Sequence, residues 1–203
     1  MSGITAKVLY CSAAGEEQVA DWEVALADQI VEGLPVRFPP SYRGQRNRPG
    51  FFWASTDRRT HVYESLLELE RLWVADFDPS VVALASQPFQ LTGVDGGVQR
   101  AHVPDLLLVT ARRQAVVVDV KPAGLLKDPR VREQFAWTRK LCLKKGWGYE
   151  VFSGTNPVAV RNIRFLASGR RPELLPAGLL DEARQEAPSK GTVGEFLACR
   201  PAR

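Results

Sequence analysis

The sequence predicts an α/β fold, a mixed β-sheet flanked by helices, and three features of its 203 residues predict it. Two apolar runs, "HVPDLLLVT" and "QAVVVDVKP", are joined only by the polar turn Ala111-Arg112-Arg113-Gln114. A connection that short makes them an antiparallel pair. A run of helical periodicity precedes them, and a second helix, opened by Pro129, follows. Another strand, "WGYEVFSG", comes after that helix. The order helix, three strands, helix, strand favours a mixed sheet with helices on its faces.

Taken in order, "AKVLYCSAAGEEQVADWEVAL" holds two short apolar stretches around Ala13-Ala14-Gly15-Glu16 and reads as a hairpin, or else as a helix over 16–30. Pro39, Pro40, Gly44, Pro49 and Gly50 then break regular structure. "HVYESLLELERLWVADFDP" places Val62, Leu66, Leu69, Leu72 and Trp73 three or four residues apart, which predicts a helix over 61–75 that stops by Asp78-Pro79. "SVVALASQPFQLTG" is a strand broken at Pro88, and "PRVREQFAWTRKLCLKKG" a helix ending at Gly146. Short helices are expected over 158–167 and 179–186. The expected organisation is an N-terminal extension over 1–39, a core over 40–155 and a short helical extension over 156–203.

Composition narrows the function. At 45% hydrophobic the chain is too apolar for a disordered tail and can bury one ordinary core. No run of about 18 apolar residues exists, and the first residues lack the basic-then-apolar order of a secretion signal, so a soluble, cytoplasmic protein with no membrane partner is expected. Three cysteines without CxxC spacing and two histidines argue against structural disulfides and zinc. The net charge of +4 says little, but its distribution says more. Arg37, Arg43, Arg46, Arg48, Arg58 and Arg59 lie among Tyr42, Phe51, Phe52 and Trp53. That mixture suits a polyanion contact, since guanidinium forks bind phosphate and aromatic rings can stack on bases. A solvated loop whose aromatics anchor it to the core fits the same stretch.

Three charges among the strands need a reason. Asp119 and Lys121 are two apart on one strand and share a face, roughly 6 to 7 Å from each other. A hairpin centred near residue 112 sets Asp105 opposite Asp119. Paired carboxylates repel unless a proton or cation sits between them, and two oxygen ligands plus water are what Mg²⁺ usually takes from protein. An ammonium beside such a site can help generate hydroxide or stabilise charge on a phosphate oxygen, so the chemistry implied is phosphodiester hydrolysis. Glu64 and Glu68 share a helix face just upstream and could add a third carboxylate. The other reading is structural: Asp105 ends a strand, Asp119 and Lys121 form a lateral ion pair, and Glu68 pairs with Arg71 at the surface.

The order E…PD…DxK on this framework resembles the PD-(D/E)XK nuclease superfamily, which includes type II restriction endonucleases. The longer text "ESLLELERLWVADFDPSVVALASQPFQL", "HVPDLLLV" and "VVVDVKPAGLLKDPRVREQF" is similar to the TnsA family, the endonuclease subunit of heteromeric transposases, over about Pro40 to Gly154. The resemblance implies a restriction-endonuclease-like αβββαβ core and Mg²⁺-dependent cleavage of double-stranded DNA at the 5′ ends of an element, with Mn²⁺ able to substitute. It implies that Glu68, Asp105 and Asp119 hold metal and act with Lys121 in catalysis, and that Gln87 supports the site. Glu64 receives no role. Asp119 is a departure, since the best-known member has glutamine there. The implied partners are a DDE-type recombinase and an AAA+ ATPase. Only about fifty residues follow Thr155 where that member has a sizeable second domain, which puts ATPase contact in doubt. A stand-alone restriction or repair nuclease, and a catalytically silent DNA-binding or assembly module, are the other readings.

Overall fold

The computed structural model describes residues 6–38, 48–174, 176 and 178–186. β1 (Ala6–Cys11) and β2 (Glu17–Asp21) pair antiparallel and are followed by the short α1 (Ala27–Val31). Beyond α1 the expected 16–30 helix has no counterpart: Glu17–Asp21 is a strand, since its residues alternate between exposed and half-buried, as one face of a hairpin requires. β3 (Gly50–Ala54) and β4 (Arg59–Tyr63) form a second hairpin. α2 (Leu66–Phe77) begins later than the periodicity suggested, because His61 and Val62 belong to β4 and Ser65 caps the helix, accepting the Glu68 N–H.

The chain continues through β5 (Val81–Ser86), β6 (Gln90–Asp95), β7 (Val98–His102), β8 (Leu106–Thr110) and β9 (Ala115–Val120). α3 (Pro129–Lys144), with Asp128 at its N-cap, β10 (Gly148–Phe152) and α4 (Pro157–Ala167) follow. Contacts divide the chain into units 1–164 and 165–203, and in the second the described residues form short 3₁₀ turns and α5 (Leu179–Glu186).

The architecture is mixed α/β with a mixed sheet. Strands run β10-β9-β8-β5, with β10 parallel to β9 and the other neighbours antiparallel. The residues after Pro88 do not resume β5. They form β6, which leaves for an antiparallel sheet of order β2-β1-β6-β7. Gly96 and Gly97, at φ 58° and 84°, make the two-residue turn between β6 and β7, a geometry that disfavours other residues.

Strand alternation divides the core. Leu107, Val109, Ala115 and Val117 face a cluster with Val8, Trp22, Phe89 and Trp137. Leu106, Leu108, Val118 and Val120 face Leu72 and Ala75 of α2. The charged residues lie where β8 and β9 run out of this apolar sandwich.

Candidate active site

The β8–β9 ladder pairs Val109 with Ala115 and Leu106 with Val118, the register that the short turn predicts. One residue beyond it, Asp105 donates its N–H to the Val118 carbonyl, while its carboxylate accepts the Val120 N–H at 2.6 Å. A cavity of about 430 Å³ opens at this end of the sheet, and Glu68, Asp105, Asp119 and Lys121 all line it, together with Arg37 and His102. Gln87 fixes the approach from β5. Fully buried, it adopts a left-handed φ of 47°, donates its N–H to the Asp105 carbonyl and accepts the Val36 N–H, each at 2.9 Å. A non-glycine residue held in that region is strained and needs surrounding contacts to hold it there.

Glu68 enters from the first turn of α2. Its carboxylate accepts the Ser65 hydroxyl and the Glu64 N–H, each at 2.8 Å, in a variant of the capping box that the S-x-x-E pattern encodes. Arg71 does not pair with it. That guanidinium makes a two-pronged contact with Glu150 of β10, both distances 2.9 Å. Burial raises the Glu68 pKa, opposed by those two donors. Asp105 is raised further: burial acts first, then the charge of Glu68, and after the opposing Val120 N–H the charges of Asp119 and Glu64. Glu64 itself forms an ion pair with Arg37 at 2.7 Å, and Arg37 also reaches the Gln87 side-chain oxygen at 3.3 Å.

Asp119 is only 1% exposed, and both its oxygens are engaged. The His102 ring nitrogen Nε2 lies 2.8 Å from Oδ1, and the Tyr149 hydroxyl donates to Oδ2. Burial and the Asp119 charge push the Tyr149 hydroxyl pKa far up, so it stays a donor. Lys121 anchors its N–H to the Phe152 carbonyl, where β9 and β10 part. Among the described residues no three His, Cys, Asp or Glu side chains are grouped to hold a metal ion. The expected triad of Glu68, Asp105 and Asp119 therefore shares a cavity without forming a cage.

Residues 78–154 match the family model of the TnsA-like endonuclease N-terminal domain. The segment is TnsA-like. It carries Asp105, Asp119 and Lys121, while Glu68 lies upstream of the matched residues. No curated protein matches the chain. A TnsA-like endonuclease domain implies nuclease activity.

The expected DNA contacts fare unevenly. Arg43 and Arg46 lie outside the described residues, and Arg48 and Arg58 are exposed. Arg59 is not a free cation: its guanidinium donates to the carbonyls of Val31, Glu32 and Gly33 at 2.8 to 3.0 Å, capping α1. Sequence reasoning passed over His102 and Tyr149 as site residues, and placed Arg37 only in the basic stretch and not in the cavity. The only signal for His102 was its place three residues before Asp105. No helix among the described residues is long and apolar enough to cross a membrane.

Proposed function

We propose that this chain is a metal-dependent endodeoxyribonuclease, the endonuclease subunit of a heteromeric transposase that hydrolyses phosphodiester bonds at the 5′ ends of an element. On this reading α2, β5, β8, β9, α3 and β10 are a restriction-endonuclease-like core. The observation that carries the proposal is the convergence of Glu68, Asp105 and Lys121 on one cavity, with Asp105 held in a state that disfavours its charge. A carboxylate so placed is stabilised by a cation. No described residue donates to its second oxygen, and Glu68 is the charge that acts on it most. Two carboxylates completed by water suit Mg²⁺, with Mn²⁺ as a substitute.

When bound, such an ion polarises the phosphate and activates water. Lys121 places its ammonium beside the phosphate to offset charge developing in the transition state. Gln87 holds Asp105 in place through the backbone, and Arg37, half-exposed at the cavity wall, meets the DNA backbone. Arg48 and Arg58 add phosphate contacts. Double-stranded DNA is the substrate, and a DDE-type recombinase and an AAA+ ATPase are the protein partners, a proposal supported by the family likeness. Incubating the protein with supercoiled plasmid and Mg²⁺ or Mn²⁺ tests the reading. Nicked or linear DNA that disappears in Asp105→Ala and Lys121→Ala supports it. If no DNA is cut, calorimetry decides: metal binding abolished by Asp105→Ala points to a subunit awaiting its partner, whereas no binding sinks the proposal.

A further inference from the structure

We infer that the groove between α3 and β10 is a second DNA subsite. It takes an unpaired stretch of the strand that runs through the catalytic cavity, with phosphates on Arg132 and Arg139 and a base on the apolar floor. This rests on the nuclease reading of the neighbouring cavity, which makes DNA the ligand at hand.

The groove is a cavity of about 650 Å³ that adjoins the catalytic one, since Phe135 lines both. Tyr149 lines the groove while its hydroxyl donates to Asp119, which lines the catalytic cavity. The two rings meet edge to face with centroids 6.5 Å apart. A strand leaving one space has only this aromatic partition to pass before it enters the other. Leu126, Ala136 and Val151 complete an apolar floor, and Val151 lies on β10, the edge strand of the sheet.

That floor decides the form of the DNA. A duplex presents phosphates and groove edges and hides the faces of its bases, so an apolar hollow lined by rings offers it little. An unstacked base exposes a π-face that aromatic side chains can take, whatever the sequence. The volume falls in the range of pockets that enclose one small ligand.

The charges at the groove favour a polyanion. Arg132 and Arg139 are seven residues apart on α3, about 10 Å along its axis at 1.5 Å per residue, and both line the groove. Neither makes an ion pair with a described residue. Nor do Lys127 and Arg130, next in sequence to the lining residues Leu126 and Pro129. The other charges of the helix have partners: Glu133 pairs with Arg100 at 3.3 Å, Lys140 with Asp95 and Lys144 with Glu23. The acid at the rim is therefore compensated from β7, and the cations left over are those that flank the groove.

Fluorescence anisotropy in EDTA, where metal-dependent cleavage is blocked, tests the inference with a blunt duplex, the same duplex carrying a single-stranded tail, and poly-glutamate. The wild-type chain should bind the tailed duplex roughly ten- to a hundredfold more tightly than the blunt one. Ala136→Trp fills the groove from an exposed position without changing charge. It should erase that preference and leave blunt-duplex binding unaffected. Arg132→Ala and Arg139→Ala should each reduce the salt slope of tailed-duplex binding by about 0.7. Arg112→Ala, the same loss of charge in the turn between β8 and β9, should leave the preference intact.

Equal affinity of the wild-type protein for the two duplexes overturns the inference. So does a preference that survives Ala136→Trp, or one that Arg112→Ala reduces as much as Arg132→Ala does. Poly-glutamate bound as tightly as the tailed duplex, and equally sensitive to Ala136→Trp, would assign the groove to an acidic protein segment instead. If Ala136→Trp fails to fold, the two arginine variants decide, and unchanged salt slopes in both count against the subsite. Mn²⁺ calorimetry keeps this result apart from the nuclease reading. Mn²⁺ binding that Asp105→Ala abolishes, with no preference for the tail, refutes the groove alone. A preference for the tail without Mn²⁺ binding refutes the nuclease reading and leaves the groove as a strand-binding site.

Discussion

Asp105 concentrates the cost of building this cavity. Its folded-state pKa lies well above the ordinary 3.8, through burial first and then neighbouring carboxylates. The folded chain therefore holds a proton that the unfolded chain releases, so this group favours folding fully below 3.8 and loses that contribution as pH rises through the raised value. Above that window the charge is a liability unless a cation offsets it. Asp105→Asn keeps an acceptor for the Val120 N–H and removes the charge. Without metal at neutral pH it should raise stability by about 1 kcal/mol, roughly 2–4 °C in melting temperature, while abolishing Mn²⁺ binding. Melting curves of both proteins across pH should converge in acid; parallel curves would refute the assignment. Arg59 makes the opposite case, a cation that looks available and is spent. Arg59→Ala should cost about 1.5–3 kcal/mol in denaturant unfolding, since charged hydrogen bonds to three carbonyls go with it. The salt dependence of DNA binding should not change.

At the scale of elements, α2 carries a site residue and a structural signal in the same four letters. Ser65 and Glu68 satisfy the helix start, so Ser65→Ala should lower stability by about 1 kcal/mol and free the Glu68 carboxylate from one donor. One turn on, buried Arg71 depends on Glu150, and Glu150→Ala strands that charge. Glu150 is partly exposed and water can replace some of the pair, so about 1–3 kcal/mol is expected, below the figure for a fully enclosed pair. Chemical denaturation of the two variants checks both. These elements also show what could be read in advance. The β8–β9 register followed from a four-residue turn between apolar runs, and with it the place of Asp105 and Lys121. β7 gave no comparable sign: "VQRAH" has little apolar content and exists because β6 pairs with it, so His102 arrived at the cavity unannounced. The backbone contacts of Arg59 were hidden for a related reason. The carbonyls it caps are 26 to 28 residues away, and a basic run reads the same whether its charges face phosphate or backbone.

Across the whole molecule the N-terminal segment changes status. Read as an extension, residues 6–38 instead lie in the same compact unit as the strands of the cavity. β1 sits between β2 and β6, and Val8, Trp22, Ile30 and Val31 pack in one cluster with Leu107, Val117 and Trp137. Trp22 also donates its ring N–H to the Leu141 carbonyl at 3.0 Å and stacks edge-on against Trp147. Two consequences follow from one connection. The segment supplies part of that unit's core, so Trp22→Ala should cost about 3–5 kcal/mol, and a chain begun at residue 48 should fail to fold. The segment also reaches the cavity, because β1 holds β6, β6 holds β7, and β7 ends in His102. A milder lesion of β1, Val8→Ala, should leave the chain folded while loosening that path. Amide exchange should then quicken in β6 and β7 and the His102 resonance should broaden, with Mn²⁺ affinity at Glu68 and Asp105 preserved. Those carboxylates hang from α2 and β8, outside the β1 sheet. Loss of metal affinity together with the histidine signal would mean that the two halves of the cavity are built as one, and that the N-terminal hairpin supports both.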